Sequence, residues 1–222
     1  MKTIKVLPEG LIDRIAAGEV IENPASVIKE LVENSIDAGA KNIEIGIMAG
    51  GKDEITIVDD GEGIPKDQVE LAFYRHATSK VKNFEDILHT STMGLRGEAL
   101  PSISSVSIME LSTYCDGELT GTTIKFEGGK QIHLGPAPPR RGCAIFVRNL
   151  FYNVPARRKF MKSDLSEKRK ISEVIRRYFI AHPEIGFKIN IDGRVVNNIA
   201  AAENLLVRLE SVWGDGITNA LL

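Results

Sequence analysis

The chain has 222 residues and a formal net charge of -2, and 43% of its residues are hydrophobic. This is enough apolar material for the core of one large domain, or of one domain and part of another. The near-neutral charge gives no global indication of a nucleic-acid partner. Cys115 and Cys143 are too few for a disulfide framework and lack metal-ligand spacing, which favours a reducing intracellular compartment.

The N-terminal sequence MKTIKVLPEG contains no apolar run of the length that a signal peptide needs, and no later segment could span a membrane. We therefore expect a soluble protein, located in the cytoplasm or, in a eukaryotic source, in the nucleus. Residues 1–20 are expected to form an arm and a short helix that lead into the main helix of the chain.

That main helix is predicted over residues 23–40, NPASVIKELVENSIDAGA. Asn23 is a good N-cap, Pro24 suits the first helical position, and Gly39 supplies a natural stop. Apolar residues recur at helical spacing and predict one buried face; they are Ala25, Ile28, Leu31, Val32 and Ile36.

A polar stripe runs along the same predicted helix, at Glu30, Asn34 and Asp37. Most such stripes are simply the solvated face of an amphipathic helix. Asn is, however, a poor residue for the middle of a helix, because its amide competes for backbone hydrogen bonds. Carboxylate and amide oxygens are also ligands that Mg²⁺ accepts together with phosphates and water. The stripe is therefore a candidate metal–phosphate site.

Two β-strands are predicted next, around residues 43–47 and 55–58, joined by a turn at AGGKD. The second strand runs into DDGEGIP, residues 59–65. Asp and Gly are common in ordinary turns, and DxGxG alone is a weak motif. Nevertheless, Gly61 and Gly63 allow the backbone to approach a planar ligand, and Asp59 offers a carboxylate acceptor for the exocyclic amine of an adenine.

A helix is predicted over residues 66–74, with Val69, Leu71 and Phe73 facing inward. Residues 91–100, STMGLRGEAL, then place glycines just before a helical segment. Free N–H groups at such a helix start form an anion site, although a single Gly-rich stretch is more often a surface loop. The phosphate-binding pattern GxxxxGK[ST] does not occur in the chain.

From Val106 onward the pattern predicts several strands, then a long helix from Asp164 to His182, a hairpin around Asp192–Gly193 and a last helix near residues 203–212. This order predicts an α+β fold, a two-layer α/β sandwich with helices on one face of the sheet. Residues 157–177 contain nine basic and three acidic residues. Such a run is either a solvated helix or a strip that contacts the DNA backbone without reading its sequence.

These motifs, in this order, resemble the GHKL ATPase superfamily, which includes gyrase B, histidine kinases, the ninety-kilodalton heat-shock chaperones and MutL. Longer strings are similar to the MutL family of DNA mismatch-repair ATPases over residues 4–162: IAAGEVIENPASVIKELVENSIDAGA, RHATSK, GLRGEALPSISSV and LFYNVPARRKF. The resemblance implies the GHKL (Bergerat) fold with a mixed sheet. It also implies an ATPase domain over residues 1–205 and the beginning of a second domain over 206–222.

The resemblance also implies roles for single residues. Glu30 would be the general base, Asn34 would hold Mg²⁺ and contact ATP together with Asp37, and Asp59, with Gly61 and Gly63, would bind adenine. A lid over the phosphates would comprise Thr78, Ser79, Lys80, Gly94, Leu95, Arg96 and Gly97. The basic residues expected to contact DNA are Arg157, Arg158, Lys159, Lys162, Arg169, Arg176 and Arg177.

The expected activity is slow hydrolysis of ATP in a switch that couples the nucleotide state to self-dimerisation and to contacts with DNA and a MutS-type mismatch-recognition protein: ATP pairs two domains, and hydrolysis resets them. The alternative is a DNA-scaffolding module that binds nucleotide without turnover, because the family places a lysine for the γ-phosphate in its second domain. A gyrase-like or kinase-like ATPase is more distant. Two positions depart from the family pattern: Cys143 replaces a usual threonine near the adenine, and Pro101 replaces an alanine after the lid.

Overall fold

The computed structural model describes residues 17, 18, 20–77 and 97–214. The helices are α1 (Pro24–Asp37), α2 (Ala99–Ser105), α3 (Pro155–Phe160), α4 (Asp164–Ala181) and α5 (Leu205–Trp213). The strands are β1 (Asn42–Met48), β2 (Glu54–Asp59), β3 (Ile108–Tyr114), β4 (Gly121–Glu127), β5 (Lys130–Ala137), β6 (Gly142–Arg148), β7 (Gly186–Ile191) and β8 (Arg194–Ile199). Short 3₁₀ turns occur at Ala49–Gly51 and Leu71–Phe73.

The eight strands among the described residues form one sheet in the order β5-β4-β3-β6-β2-β1-β7-β8. Every neighbouring pair is antiparallel except β1 and β7, which run parallel. Buried and half-exposed residues alternate along the central strands, as expected for a sheet with one covered face. The mixed sheet and the two-layer α+β architecture confirm the predicted fold class.

Helix α1 packs its apolar stripe on the covered face, where Ile28, Leu31 and Val32 are fully buried. Asn23 caps the helix, since its side chain accepts a hydrogen bond from the backbone N–H of Ser26 at 3.2 Å. Helix α4 lies beside α1 and buries Ile171 and Phe179 in the same core. The helix boundaries predicted from the Asn cap and the glycine stop are confirmed to within a few residues.

The helix predicted over residues 66–74 is wrong. This segment consists of turns with a single 3₁₀ turn at its end, and Leu71 is exposed instead of facing inward. The backbone N–H of Lys66 donates to the carboxylate of Glu118 at 2.8 Å. This contact would also fit the start of a helix, whose first N–H groups have no partner within the helix, so it does not explain why the segment forms turns.

Pro101 lies in the first turn of α2, which begins at Ala99. In the first turn of a helix the backbone N–H groups need no partner within the helix, so this proline removes no helical hydrogen bond. A proline at this position gives no reason for the kink that it would cause deeper in a helix. None of the described helices is long and apolar enough to cross a membrane.

Candidate nucleotide site

The carboxylate of Asp59 lies at the end of β2 and is almost completely buried. Its Oδ1 accepts hydrogen bonds from the backbone N–H of Gly61 at 3.0 Å and of Cys143 at 3.2 Å. Its Oδ2 lies 2.8 Å from the hydroxyl of Ser35 on α1. A carboxylate offers about four acceptor positions, so three donors leave one position on Oδ2 for a ligand. This acceptor fits the amine of a purine.

The glycines around Asp59 allow close packing of backbone. Gly142 has a φ of +86°, and a Cβ there would lie 2.3 Å from the carbonyl oxygen of Asp59. A Cβ at Gly63 would lie 2.5 Å from the carbonyl oxygen of Tyr114, and one at Gly61 would lie 2.8 Å from that of Ala38. The protein itself therefore requires these glycines, whereas contact of Gly61 and Gly63 with a planar ligand stays a prediction.

Cys143 is paired with Thr113 across strands β6 and β3, and its sulfur lies 3.4 Å from the threonine hydroxyl. Burial, together with the nearby charge of Asp59, raises the pKa of Cys143 to about 12. The thiol is therefore neutral at physiological pH and is a weak hydrogen-bond donor. The hydroxyl that the resemblance implies at this position is missing, while the backbone N–H of Cys143 still donates to Asp59.

Helix α1 carries the other candidate residues along one side of the site. Glu30 is 25% exposed at its side chain, and Asn34 follows one turn later. Ser35, the residue after Asn34, is the one that contacts Asp59. With a rise of about 1.5 Å per residue, Glu30 and Ser35 are about 7.5 Å apart along the helix axis. Asp37 is the last residue of the helix.

Two side chains at this site were missed from the sequence. The guanidinium of Arg140 donates to the carbonyl oxygens of Asp59 at 3.1 Å and of Cys143 at 3.3 Å, so it ties β2 to β6 behind the carboxylate. Ser35 adds its hydroxyl from α1. Arg140 lies in a proline-rich loop with no motif, while a serine beside Asn34 in mid-helix was a usable signal.

The sequence profile described as "Histidine kinase-, DNA gyrase B-, and HSP90-like ATPase" matches residues 21–133, slightly more than half of the chain. The chain belongs to this ATPase family. Among curated proteins it is 47% identical over 221 residues to the DNA mismatch repair protein MutL of Thermodesulfovibrio yellowstonii, covering 100% of this chain and 40% of that protein. It is 50% identical over 190 residues to MutL of Koribacter versatilis, covering 86% of this chain and 29% of that one.

Among solved structures, the Aquifex aeolicus MutL ATPase domain complexed with ADP is similar, with a TM-score of 0.74 and 34% identity. That match covers 87% of this chain and 70% of the other. The resemblance to the MutL ATPase region inferred from sequence motifs is thereby confirmed. The chain spans well under half of the length of the curated relatives that it matches.

Most of the lid that the resemblance implies for this ATPase lies outside the described residues, namely Thr78, Ser79, Lys80, Gly94, Leu95 and Arg96. Gly97, at the end of that segment, is described and has a φ of +59°. A Cβ there would lie 2.3 Å from the carbonyl oxygen of Ala77. Ala77 and Gly97, which flank the segment, therefore lie in close contact, and this contact is possible because Gly97 has no side chain.

The basic residues expected to contact DNA divide into two groups. Arg157 is turned inward: its guanidinium donates to the carbonyl oxygen of Ile21 at 2.8 Å and lies 5.8 Å from the Phe151 ring. Arg177 forms an exposed ion pair with Glu173 on α4. The remaining members have exposed side chains; they are Arg158, Lys159, Lys162, Arg169 and Arg176. The structure thus gives Arg157 a packing role that its sequence context did not indicate.

Proposed function

We propose that the chain is the ATP-binding and ATP-hydrolysing part of a DNA mismatch-repair protein of MutL type. The main support is the buried Asp59 carboxylate, which keeps one acceptor position while Ser35 joins it to the helix that carries Asn34 and Glu30. The similarity to MutL proteins over the whole chain supports the biological setting. Release of phosphate from ATP is the activity that tests this proposal.

The proposed roles follow the chemistry of phosphoryl transfer, which needs charge neutralisation, a positioned water and exclusion of solvent. Asp59 accepts a hydrogen bond from the adenine amine. Glu30, whose carboxylate reaches solvent, orients the attacking water and takes its proton. Asn34 lies between Glu30 and Ser35 along the helix, and Asp37, its last residue, follows Ser35; both would contact ATP. The residues of the implied lid would close over the phosphates.

Magnesium fits this arrangement only together with the nucleotide. Among the described residues, no group of three or more His, Cys, Asp or Glu side chains could hold a metal ion. The amide oxygen of Asn34 is a hard ligand that Mg²⁺ accepts, and the remaining positions would be filled by phosphate oxygens and water. When bound, the ion would neutralise phosphate charge.

Replacing Asn34 by alanine is expected to weaken ATP binding in the presence of magnesium by about tenfold or more, because one metal ligand is lost. The affinity measured in excess chelator should change much less. Calorimetric titration provides both values, and Asn198→Ala on the exposed strand β8 is the matched control. An unchanged affinity in magnesium would show that Asn34 is not the metal ligand.

For the basic residues of α3 and α4 we propose contact with the DNA backbone, without recognition of base sequence. Such binding weakens with salt through counterion release, and each phosphate contact contributes about 0.9 to the slope of log K against log salt. Arg158 and Lys159 are exposed and adjacent on α3. We expect the double substitution Arg158→Ala/Lys159→Ala to reduce the slope by about 2.

The control for this salt dependence is Lys66→Ala/Lys130→Ala, which removes the same charge from exposed positions outside α3 and α4. Its slope should equal that of the unchanged protein. Fluorescence anisotropy of a labelled duplex at several salt concentrations measures all three slopes. Equal slopes for the two double variants would mean that α3 is an ordinary solvated helix.

We further propose that ATP promotes pairing of two ATPase domains and that a MutS-type protein is a partner, as in the mismatch-repair family that the chain resembles. The resemblance implies a lysine for the γ-phosphate in the second domain, and residues 206–222 contain no lysine. The alternative, nucleotide binding without turnover, therefore applies to residues 1–222 taken alone. Phosphate release by the complete natural protein separates ATP hydrolysis from nucleotide binding without turnover. Release of phosphate supports the ATPase, and binding of ATP without release supports the alternative.

A further inference from the structure

A chain of hydrogen-bonded side chains connects α4 to Glu30: Tyr178 and Glu33 are buried, and Lys29 is exposed. The hydroxyl of Tyr178 on α4 donates to Oε1 of Glu33 on α1 at 2.7 Å, and both side chains are at least nine-tenths buried. The ammonium of Lys29 donates to Oε2 of Glu33 at 3.0 Å and to Oε1 of Glu30 at 3.1 Å. Tyr178 thus reaches Glu30 through two charged side chains of α1.

The donor and acceptor roles in this chain are well defined. Burial and the hydrogen bond to Glu33 raise the pKa of Tyr178, so its hydroxyl keeps its proton and donates. Burial favours the neutral amine of Lys29, but the hydrogen bonds to Glu33 and Glu30 raise its pKa. Lys29 therefore remains an ammonium that bridges two carboxylates.

The ammonium of a lysine lies at the end of a long, flexible stem, so on its own it would not hold the Glu30 carboxylate in one position. Here Glu33 restrains it, and Tyr178 restrains Glu33 from a second helix. The effect matters because a general base acts only within hydrogen-bond distance of the water that it activates. A displacement of about 1 Å can lower a rate by as much as about 100-fold.

We propose that Tyr178 is a positioning residue for Glu30, acting through Glu33 and Lys29. The inference rests on the proposed function, in which Glu30 is the general base. It assigns a role in hydrolysis to a hydroxyl on a different helix, which touches neither the nucleotide nor the water. The opposing explanation is that the Tyr178–Glu33 hydrogen bond merely holds α4 against α1.

The first test is Tyr178→Phe in the complete natural protein, because phenylalanine keeps the ring and removes only the hydroxyl. Single-turnover hydrolysis is expected to slow about tenfold, while the dissociation constant for ATP stays within about twofold. Ile175→Val, on the same buried face of α4, controls for looser packing and should hydrolyse ATP at the original rate. Thermal unfolding establishes that each variant is folded.

The second test is a double-mutant cycle with Lys29→Met, which breaks the connection between Glu33 and Glu30. In the Lys29→Met background, Tyr178→Phe should cause no further loss of rate, since its effect passes through the lysine. Multiplicative losses in the double variant would show that Tyr178 acts by packing alone and would overturn the proposal. So would a folded Tyr178→Phe variant with unchanged hydrolysis.

Failure of the proposed function itself would look different. If the unchanged protein bound no ATP, or if Glu30→Ala hydrolysed it at the original rate, the assignment of Glu30 would be wrong, and the role of Tyr178 with it. If Glu30→Ala abolishes hydrolysis and Tyr178→Phe leaves it unchanged, only the positioning role is overturned. The expected order of rates is unchanged protein, then Tyr178→Phe, then Glu30→Ala.

Discussion

Replacing Glu30 by alanine is expected to slow ATP hydrolysis by about 100-fold or more, because general base catalysis typically contributes that much. Binding of ATP should be retained, since the base acts on the water and not on the nucleotide. Glu30 is one-quarter exposed, and Lys29, with which it forms an ion pair, keeps its hydrogen bond to Glu33, so removal of Glu30 leaves no buried group without a partner. Quenched-flow hydrolysis and calorimetry measure the rate and the affinity separately.

The matched control is Glu173→Ala, which removes an exposed glutamate that is also paired with a basic neighbour, Arg177. Its hydrolysis rate and its affinity should both equal those of the unchanged protein. Loss of binding in Glu30→Ala equal to the loss of rate would instead make Glu30 a structural or metal-binding residue. The proposed division of work between Glu30 and Asn34 would then be wrong.

Changing Asp59 to asparagine is expected to weaken ATP binding by about 100-fold or more, because a buried site that loses its matching acceptor rejects the ligand strongly. The fold should survive. In this variant the remaining side-chain oxygen can still accept from Gly61 and Cys143. The new NH₂ group can donate to Ser35, whose hydroxyl has the carbonyl oxygen of Leu31 as an alternative acceptor at 3.1 Å.

The second N–H of that asparagine would point toward the position of the adenine amine. It would oppose another donor, so ATP should lose affinity, whereas inosine triphosphate, which carries an oxygen there, should gain relative to ATP. Calorimetry with both nucleotides measures this change in preference. The control is Asn197→Asp on the exposed edge strand β8, three strands away from β2. It also changes the charge by one unit, and it should leave both affinities unchanged. If Asp59→Asn and the unchanged protein bound ATP with equal affinity, Asp59 would not be a nucleotide-binding residue.

Much of this arrangement could be predicted from local sequence. The cap at Asn23, the spacing of the apolar residues and the glycine stop determine α1, because each acts within a few residues along the chain. The alternation in β1 and β2 places Asp59 at a strand end for the same reason. The MutL-like strings then predicted the family and its fold, which the comparisons confirm.

Other features depend on contacts between distant parts of the chain and have no local signal. Arg140 reaches a carbonyl oxygen 81 residues away, and Tyr178 reaches a carboxylate 145 residues away. Arg157, which was grouped with the basic strip by its charge, instead holds the backbone at Ile21. The wrongly predicted helix over 66–74 has no such explanation: its apolar spacing suits a helix, but the structure forms turns there. The roles of the predicted site residues and the domain boundary near residue 205 remain predictions.

The central claim is that Asp59 marks an adenine-nucleotide site at the junction of β2 and α1. Titration of the unchanged chain with ATP and with inosine triphosphate tests it most directly, because the two nucleotides differ at the group that would meet the carboxylate. The account predicts one ATP per chain, and inosine triphosphate bound about 100-fold more weakly, since the exocyclic carbonyl oxygen of its base would face the Asp59 carboxylate. Equal affinity for the two nucleotides, or no binding of ATP, would contradict it.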